Sequence, residues 1–197
     1  MFQAISPIHA DLPAFLRAVP ATHELRAPAG TAAHTGLALL VLAKVWKTRP
    51  VLWVSTTPDW YPPGLAWAGI DPEYCLFAQG ANDEEALGTA EVALRGGMAG
   101  VVECRALSRL AAKRLALAAK RGNALGLVLR HAPARTAQDS AAFTSRWMVH
   151  PAPGSPLAPR LRAELLYAKG ALPSAYMYEM REEQNAPLSV PGLRRAG

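Results

Sequence analysis

The pattern of apolar and polar positions along the chain changes period several times, and each change marks an element. Leu12, Phe15, Leu16 and Val19 share one face at helical spacing, which predicts a short amphipathic helix over Asp11–Pro20. The following stretch, ATHELRAPAGTAAHTG, is poor in apolar bulk, and no strand is predicted in it. LALLVLAKVWKT has a strong helical pattern that stops before Pro50, whose ring cannot continue a helix. VLWVS (Val51–Ser55) is an apolar run rather than an alternating one, the pattern of a strand covered on both faces. The loop TTPDWYPPG leads to a short helix, LAWAGI, closed by Gly69, and then to a second buried strand, CLFAQG.

NDEEALGTAEVALRGG reads as a helix with Asn82 as N-cap and with Glu84 and Glu85 in the first turn, where the dipole favours anions. Gly96 and Gly97 end it. AGVVEC is a third strand, and SRLAAKRLALAAKRG a helix with Gly122 as its expected C-cap. ALGLVLR is a fourth strand, ending at Arg130. RWMVHPAP, RLRAELLYAKG and AYMYEMREE read as three further strands. Strand and helix alternate over residues 35–130, the order of an α/β fold with a central parallel sheet flanked by helices. The last 50 or so residues lack helices and are expected to add antiparallel strands at one edge of that sheet.

Composition narrows the picture. The chain has 197 residues and is 51% hydrophobic, enough for a sizeable core. No apolar run reaches the roughly 20 residues that span a bilayer, and the first residues lack a basic-then-apolar leader, so a cytoplasmic protein without membrane contact is expected. Cys75 and Cys104 sit in apolar surroundings without C-x-x-C spacing and read as two buried thiols. No Cys/His cluster is visible in the sequence, so neither a metal nor a cofactor is expected. The net charge of +6 favours acidic partners, nucleic acid among them.

The stretch APAGTAAHTGLALL has the outline of a phosphate-binding loop opening a helix. On the G-x-x-x-x-G-K-[ST] template, Pro28 stands at the first glycine, Ala33 at the second, His34 at the lysine and Thr35 at the hydroxyl. Only Thr35 fits. A histidine is shorter than lysine and mostly neutral near pH 7, so it brings little charge to a triphosphate.

The segment from VLWVSTTPDWYPPG through AGIDPEYCLFAQG and EEALGTAEVALRGGMAGVVE resembles the ATPase core of the RecA family. Within it the chain is most similar to ImuA, the RecA-like accessory proteins of bacterial mutagenesis cassettes. The resemblance covers residues 25–180 and rests on the order and spacing of the motifs. It implies a RecA-like core over 25–183, a helical extension over 1–24 and a flexible tail over 184–197. It places the Walker B acid at Glu103 and the water-activating acid at Thr57, a poor base. It places the γ-phosphate sensor near Arg130 and His131. With lysine and base both lacking, the resemblance implies a pseudo-ATPase whose degenerate nucleotide site is His34, Thr35 and Glu103.

The resemblance further implies work in SOS-induced translesion DNA synthesis. The implied partners are an ImuB-type Y-family pseudo-polymerase and an error-prone replicative-type DNA polymerase, with RecA, DNA and self-association as additional candidates. Arg109, Lys113, Arg114, Lys120 and Arg121 on the basic helix are candidates for DNA or partner contact. Leu12, Phe15 and Leu16, and the loop aromatics Trp60 and Tyr61, are candidates for protein docking. Two other readings stay open at this point: a SulA-type inhibitor of cell division, and a divergent nucleotide-dependent ATPase.

Overall fold

The computed structural model describes residues 8–9, 11–46, 49–134 and 139–182. One eight-stranded sheet organises them, in the order β3-β2-β4-β5-β1-β6-β7-β8. Its strands are β1 (Ala21–Ala27), β2 (Val51–Ser55), β3 (Cys75–Gln79), β4 (Ala99–Glu103), β5 (Leu125–His131), β6 (Ser145–Ser155), β7 (Ala158–Ala168) and β8 (Ala175–Glu179). The first six in chain order are mutually parallel, and β7 and β8 join antiparallel. The architecture is therefore the expected α/β one, with one change. β6 was expected among the antiparallel strands, but it lies parallel to β1 and turns antiparallel only toward β7.

The helices are α1 (Ala14–Arg17), α2 (Ala33–Val45), α3 (Pro62–Trp67), α4 (Asp83–Arg95) and α5 (Arg109–Gly122). Right-handed crossovers from β1 and β2 carry α2 and α3 to one face of the sheet. The crossovers from β3 and β4 carry α4 and α5 to the other. Asn82 caps α4 as expected, its side chain accepting from the Glu85 amide at 3.0 Å. The expected C-cap of α5 is displaced by one residue, because Asn123 takes the left-handed conformation (φ 49°). Gly122 is small for a different reason: a Cβ there would lie 1.8 Å from the Leu94 carbonyl oxygen, where α4 and α5 end against each other.

The main departure from the sequence reading is β1. ATHELRA, where no strand was expected, is the central strand between β5 and β6 and is buried at all seven positions. It runs unbroken across positions 24 and 25, so residues 21–24 belong to the sheet. Its charged residues are accommodated by a closed ion network. The Glu24 carboxylate accepts from Arg26 Nε (3.0 Å), Arg130 Nη1 (2.8 Å) and Arg146 Nε (2.7 Å), which stand on β1, β5 and β6. Asp139 also pairs with Arg26. The carbonyls of Pro133 and Ala134 accept from Arg26, that of Arg105 from Arg130, and that of Ser140 from Arg146. On the opposite face of β1, His23 Nδ1 lies 2.8 Å from Ser145 Oγ, which also accepts from Trp147 Nε1 at 2.7 Å.

The N-terminal helix is shorter than Asp11–Pro20, spanning only Ala14–Arg17. Leu12 and Leu16 are 2% and 0% exposed and belong to the core, so neither is available as a docking residue. Phe15 stacks on Trp147 with ring centroids 5.5 Å apart. The helix closes the α2 side of the sheet, because only burial there removes its apolar face from water.

Replacing Glu24 with Gln removes the buried anion that the three guanidiniums share and leaves them the half-buried Asp139 and backbone carbonyls. Urea unfolding followed by tryptophan fluorescence should show a loss of about 3–5 kcal/mol; an unshifted midpoint contradicts the network's role. Leu16→Ala should cost about 2–5 kcal/mol in the same assay, whereas a surface docking residue would leave stability unchanged.

Candidate functional site

The loop after β1 turns at Gly30 (φ 75°), a conformation open to glycine at little cost, and enters α2 at Ala33. That loop forms one wall of a cleft of about 450 Å³. The cleft lies at the carboxyl ends of β2, β4 and β5 on the α2 and α3 face, where open α/β sheets place their ligands. Gly30, Thr31, Ala32, His34 and Thr35 line it on the loop side. Trp53, Phe77, Leu65 and Trp60 form an apolar wall, and Asp59 and Tyr61 stand at its rim.

Three groups meet at the cleft floor. His34, Glu103 and His131 each bring one donor atom to within 4.8 Å of the others. The His34 and His131 ring centroids are 4.7 Å apart. The sequence showed no such cluster, because the three residues come from a helix start and two strand ends. The register explains the meeting. Ser55 pairs with Glu103, Glu103 with Leu129, and His131 follows two positions on, so these side chains share one face.

Burial governs the electrostatics of the floor. His34 is 1% exposed. Burial lowers its pKa to about 4, with His131 adding to the shift and the nearby Ala32 backbone opposing it. Its Nδ1 accepts the Thr35 amide at 2.9 Å, while its Nε2 is buried without a hydrogen-bond partner. Burial raises the Glu103 pKa and Asp59 raises it further, while the Ser55 hydroxyl, donating at 3.1 Å, and His131 oppose the shift. His131 Nδ1 donates to the Pro28 carbonyl at 3.1 Å.

Other expected residues lie elsewhere. Thr57 is exposed beyond β2, its amide donating to Ser55 Oγ. Arg130, expected near a γ-phosphate, points to the opposite face and is held by Glu24, which leaves only His131 in the cleft. Trp60 packs on Phe77 with centroids 5.2 Å apart, whereas Tyr61 is 72% exposed. Arg109, Lys113, Arg114, Lys120 and Arg121 are all exposed along α5, on the face away from the cleft. Arg114 pairs with Glu91 at 2.7 Å. Cys104 is buried as expected, with its thiol pKa pushed up to about 12, while Cys75 is only half-buried. The tail over 184–197 lies outside the described residues. Sequence reasoning missed Ser55, and it named His131 only beside the expected γ-phosphate sensor rather than as a partner of His34 and Glu103. The available signal was that the apolar runs of β2, β4 and β5 close on polar residues; Glu103 and His131 line the cleft, and Ser55 hydrogen-bonds Glu103 beside it.

No family model matches the chain. Protein ImuA from two strains of Caulobacter vibrioides is 30% identical to it over 158 residues, covering 72% of this chain and 64% of ImuA. The chain thus spans just under two thirds of the curated relatives' length. Among solved structures, SulA from Pseudomonas aeruginosa superposes with a TM-score of 0.45 at 27% identity, over 61% of this chain and all of SulA. Among the described residues, no helix is long and apolar enough to cross a membrane.

A depressed histidine pKa gives a pH dependence of definite sign. The unfolded chain takes up the His34 proton near pH 6.5 and the folded chain only near 4, so this stabilisation is present above 6.5 and lost as pH falls toward 4. His23, buried with a pKa of about 3, adds to the same trend. Ring-proton NMR should show both rings neutral at pH 5, and the fall of melting temperature between pH 6.5 and 4 should be shallower in His34→Gln.

Proposed function

Taking as premise that the chain is ImuA-like, we propose that it is a non-catalytic accessory protein of SOS-induced, error-prone translesion DNA synthesis. It works by contact rather than by nucleotide hydrolysis. The similarity to ImuA over 158 residues carries this reading. The cleft supports the non-catalytic part. Where a phosphate loop needs a lysine, this loop offers a buried neutral imidazole, and no carboxylate stands where the water-activating base is expected. The cleft floor also presents Glu103, which repels phosphate whenever it is ionised.

The partners proposed are an ImuB-type pseudo-polymerase and, through it, an error-prone replicative-type polymerase, with RecA and DNA as further candidates. Helix α5 supplies the contact surface in this reading. Leu110 and Leu117 are 67% and 68% exposed and share a face with Lys113 and Arg121 at helical spacing. Apolar side chains interleaved with basic ones suit an acidic amphipathic segment of a protein better than a bare phosphate backbone.

Calorimetric titration with magnesium–ATP should show no binding at micromolar nucleotide; a clear isotherm would restore the ATPase reading. Binding of the cognate ImuB-type protein should weaken about tenfold in Lys113→Glu/Arg121→Glu, with folding unchanged by circular dichroism. Equal affinity for wild type and variant would remove α5 from the interface.

A further inference from the structure

We propose that His34, Glu103 and His131 form a binding site for a borderline divalent cation of the zinc type. Two imidazoles and one carboxylate are a donor set that suits zinc and its late first-row neighbours and disfavours magnesium, which prefers oxygen donors. The three donor atoms lie within 4.8 Å of one another, so inward movement of about 1 Å brings them around one ion.

The surrounding contacts are those that orient metal ligands. His131 gives its Nδ1 proton to the Pro28 carbonyl, which fixes the tautomer and leaves the Nε2 lone pair free to coordinate. Ser55 Oγ holds one oxygen of Glu103, leaving the other for the ion. His34 Nε2 is buried and lacks a partner, the kind of polar atom that a native interior seldom leaves unused.

One rearrangement is required at His34. With the Thr35 amide on Nδ1, the neutral ring carries its proton on Nε2. Coordination through Nε2 moves that proton to Nδ1, where Thr35 Oγ1, 3.4 Å away, accepts it at the expense of the amide contact. A cation also resolves the site's electrostatics. It neutralises a half-buried carboxyl group in a cleft where, among the described residues, no lysine or arginine forms part of the lining. A bare anion gains less here, because it would face Glu103. Three protein donors leave a fourth position open toward the cleft mouth near Asp59 and Tyr61.

The test uses the full chain stripped with a chelator and titrated with Zn2+ against a competing chromophoric chelator. One equivalent of Zn2+ should bind and raise the melting temperature, whereas Mg2+ at equal concentration should not. Nitrogen NMR of the rings should show the His34 Nε2 resonance changing from a protonated to a metal-bound shift. His131→Ala, at an exposed position, and Glu103→Gln should each weaken Zn2+ binding by tenfold or more. His34→Ala should do the same if it folds. Zn2+ binding that is absent, substoichiometric or unchanged in His131→Ala and Glu103→Gln would overturn the proposal. So would protection by inorganic phosphate alone with no response to Zn2+.

Discussion

The sheet depends on one carboxylate. Glu24 lies on the middle strand of an eight-stranded sheet and holds a guanidinium from its own strand and one from the strand on each side. A buried charge without partners is prohibitive, so the three strands stay in register only while their charges meet. The carbonyls of Arg105, Pro133, Ala134 and Ser140 accept from the same guanidiniums. Buried ion clusters of this kind contribute little net stability compared with apolar packing, yet removing one partner is costly because it leaves the other charges buried and uncompensated.

The two faces of the sheet do different work. On the α4 and α5 side, the guanidiniums pair with Glu24 and Asp139, and α5 turns its basic and apolar residues outward. On the α2 and α3 side, the strand ends open into a cleft whose polar groups are only partly satisfied. Arg130 and His131 show the division most plainly. They are neighbours in sequence, yet the pleat sends one into the ion network and the other to the cleft floor. The position expected to read a terminal phosphate has thus lost its cation to the fold.

The chemistry of the cleft follows from burial. An imidazole at a phosphate-loop position would supply some positive charge in water. Enclosed beneath the loop and beside a second imidazole, it is held neutral. Desolvation pushes Glu103 toward its neutral form as well. Burial thus disfavours the charged forms of both His34 and Glu103, the two groups at the start of α2 and the end of β4.

Much of the architecture was legible in the residues. Continuous apolar runs at Val51–Ser55, Ala99–Glu103 and Leu125–His131 gave three parallel strands, because strands covered on both faces need apolar side chains in both directions; Cys75–Gln79, expected as a buried strand, is a parallel strand at the sheet edge with Leu76 exposed. Asn82 and its acidic neighbours located the start of α4, since capping is a local interaction. The central strand was illegible. ATHELRA looks like a loop until Arg130 and Arg146, more than a hundred residues away, come to neutralise it. The cleft was half legible: the absent lysine could be read directly, as could His34, Thr35 and Glu103. That His131 and Ser55 join them depends on strand register, and register is a property of the sheet. The roles of Leu12 and Leu16 were ambiguous for a similar reason, because an amphipathic turn looks the same whether its apolar face meets a partner or its own sheet. Sequence alone determined the local elements and the missing cation, because short-range propensity and composition suffice for those. Tertiary structure decided which charges pair and which donors converge, because those contacts close loops of roughly a hundred residues and exist only once the sheet is assembled.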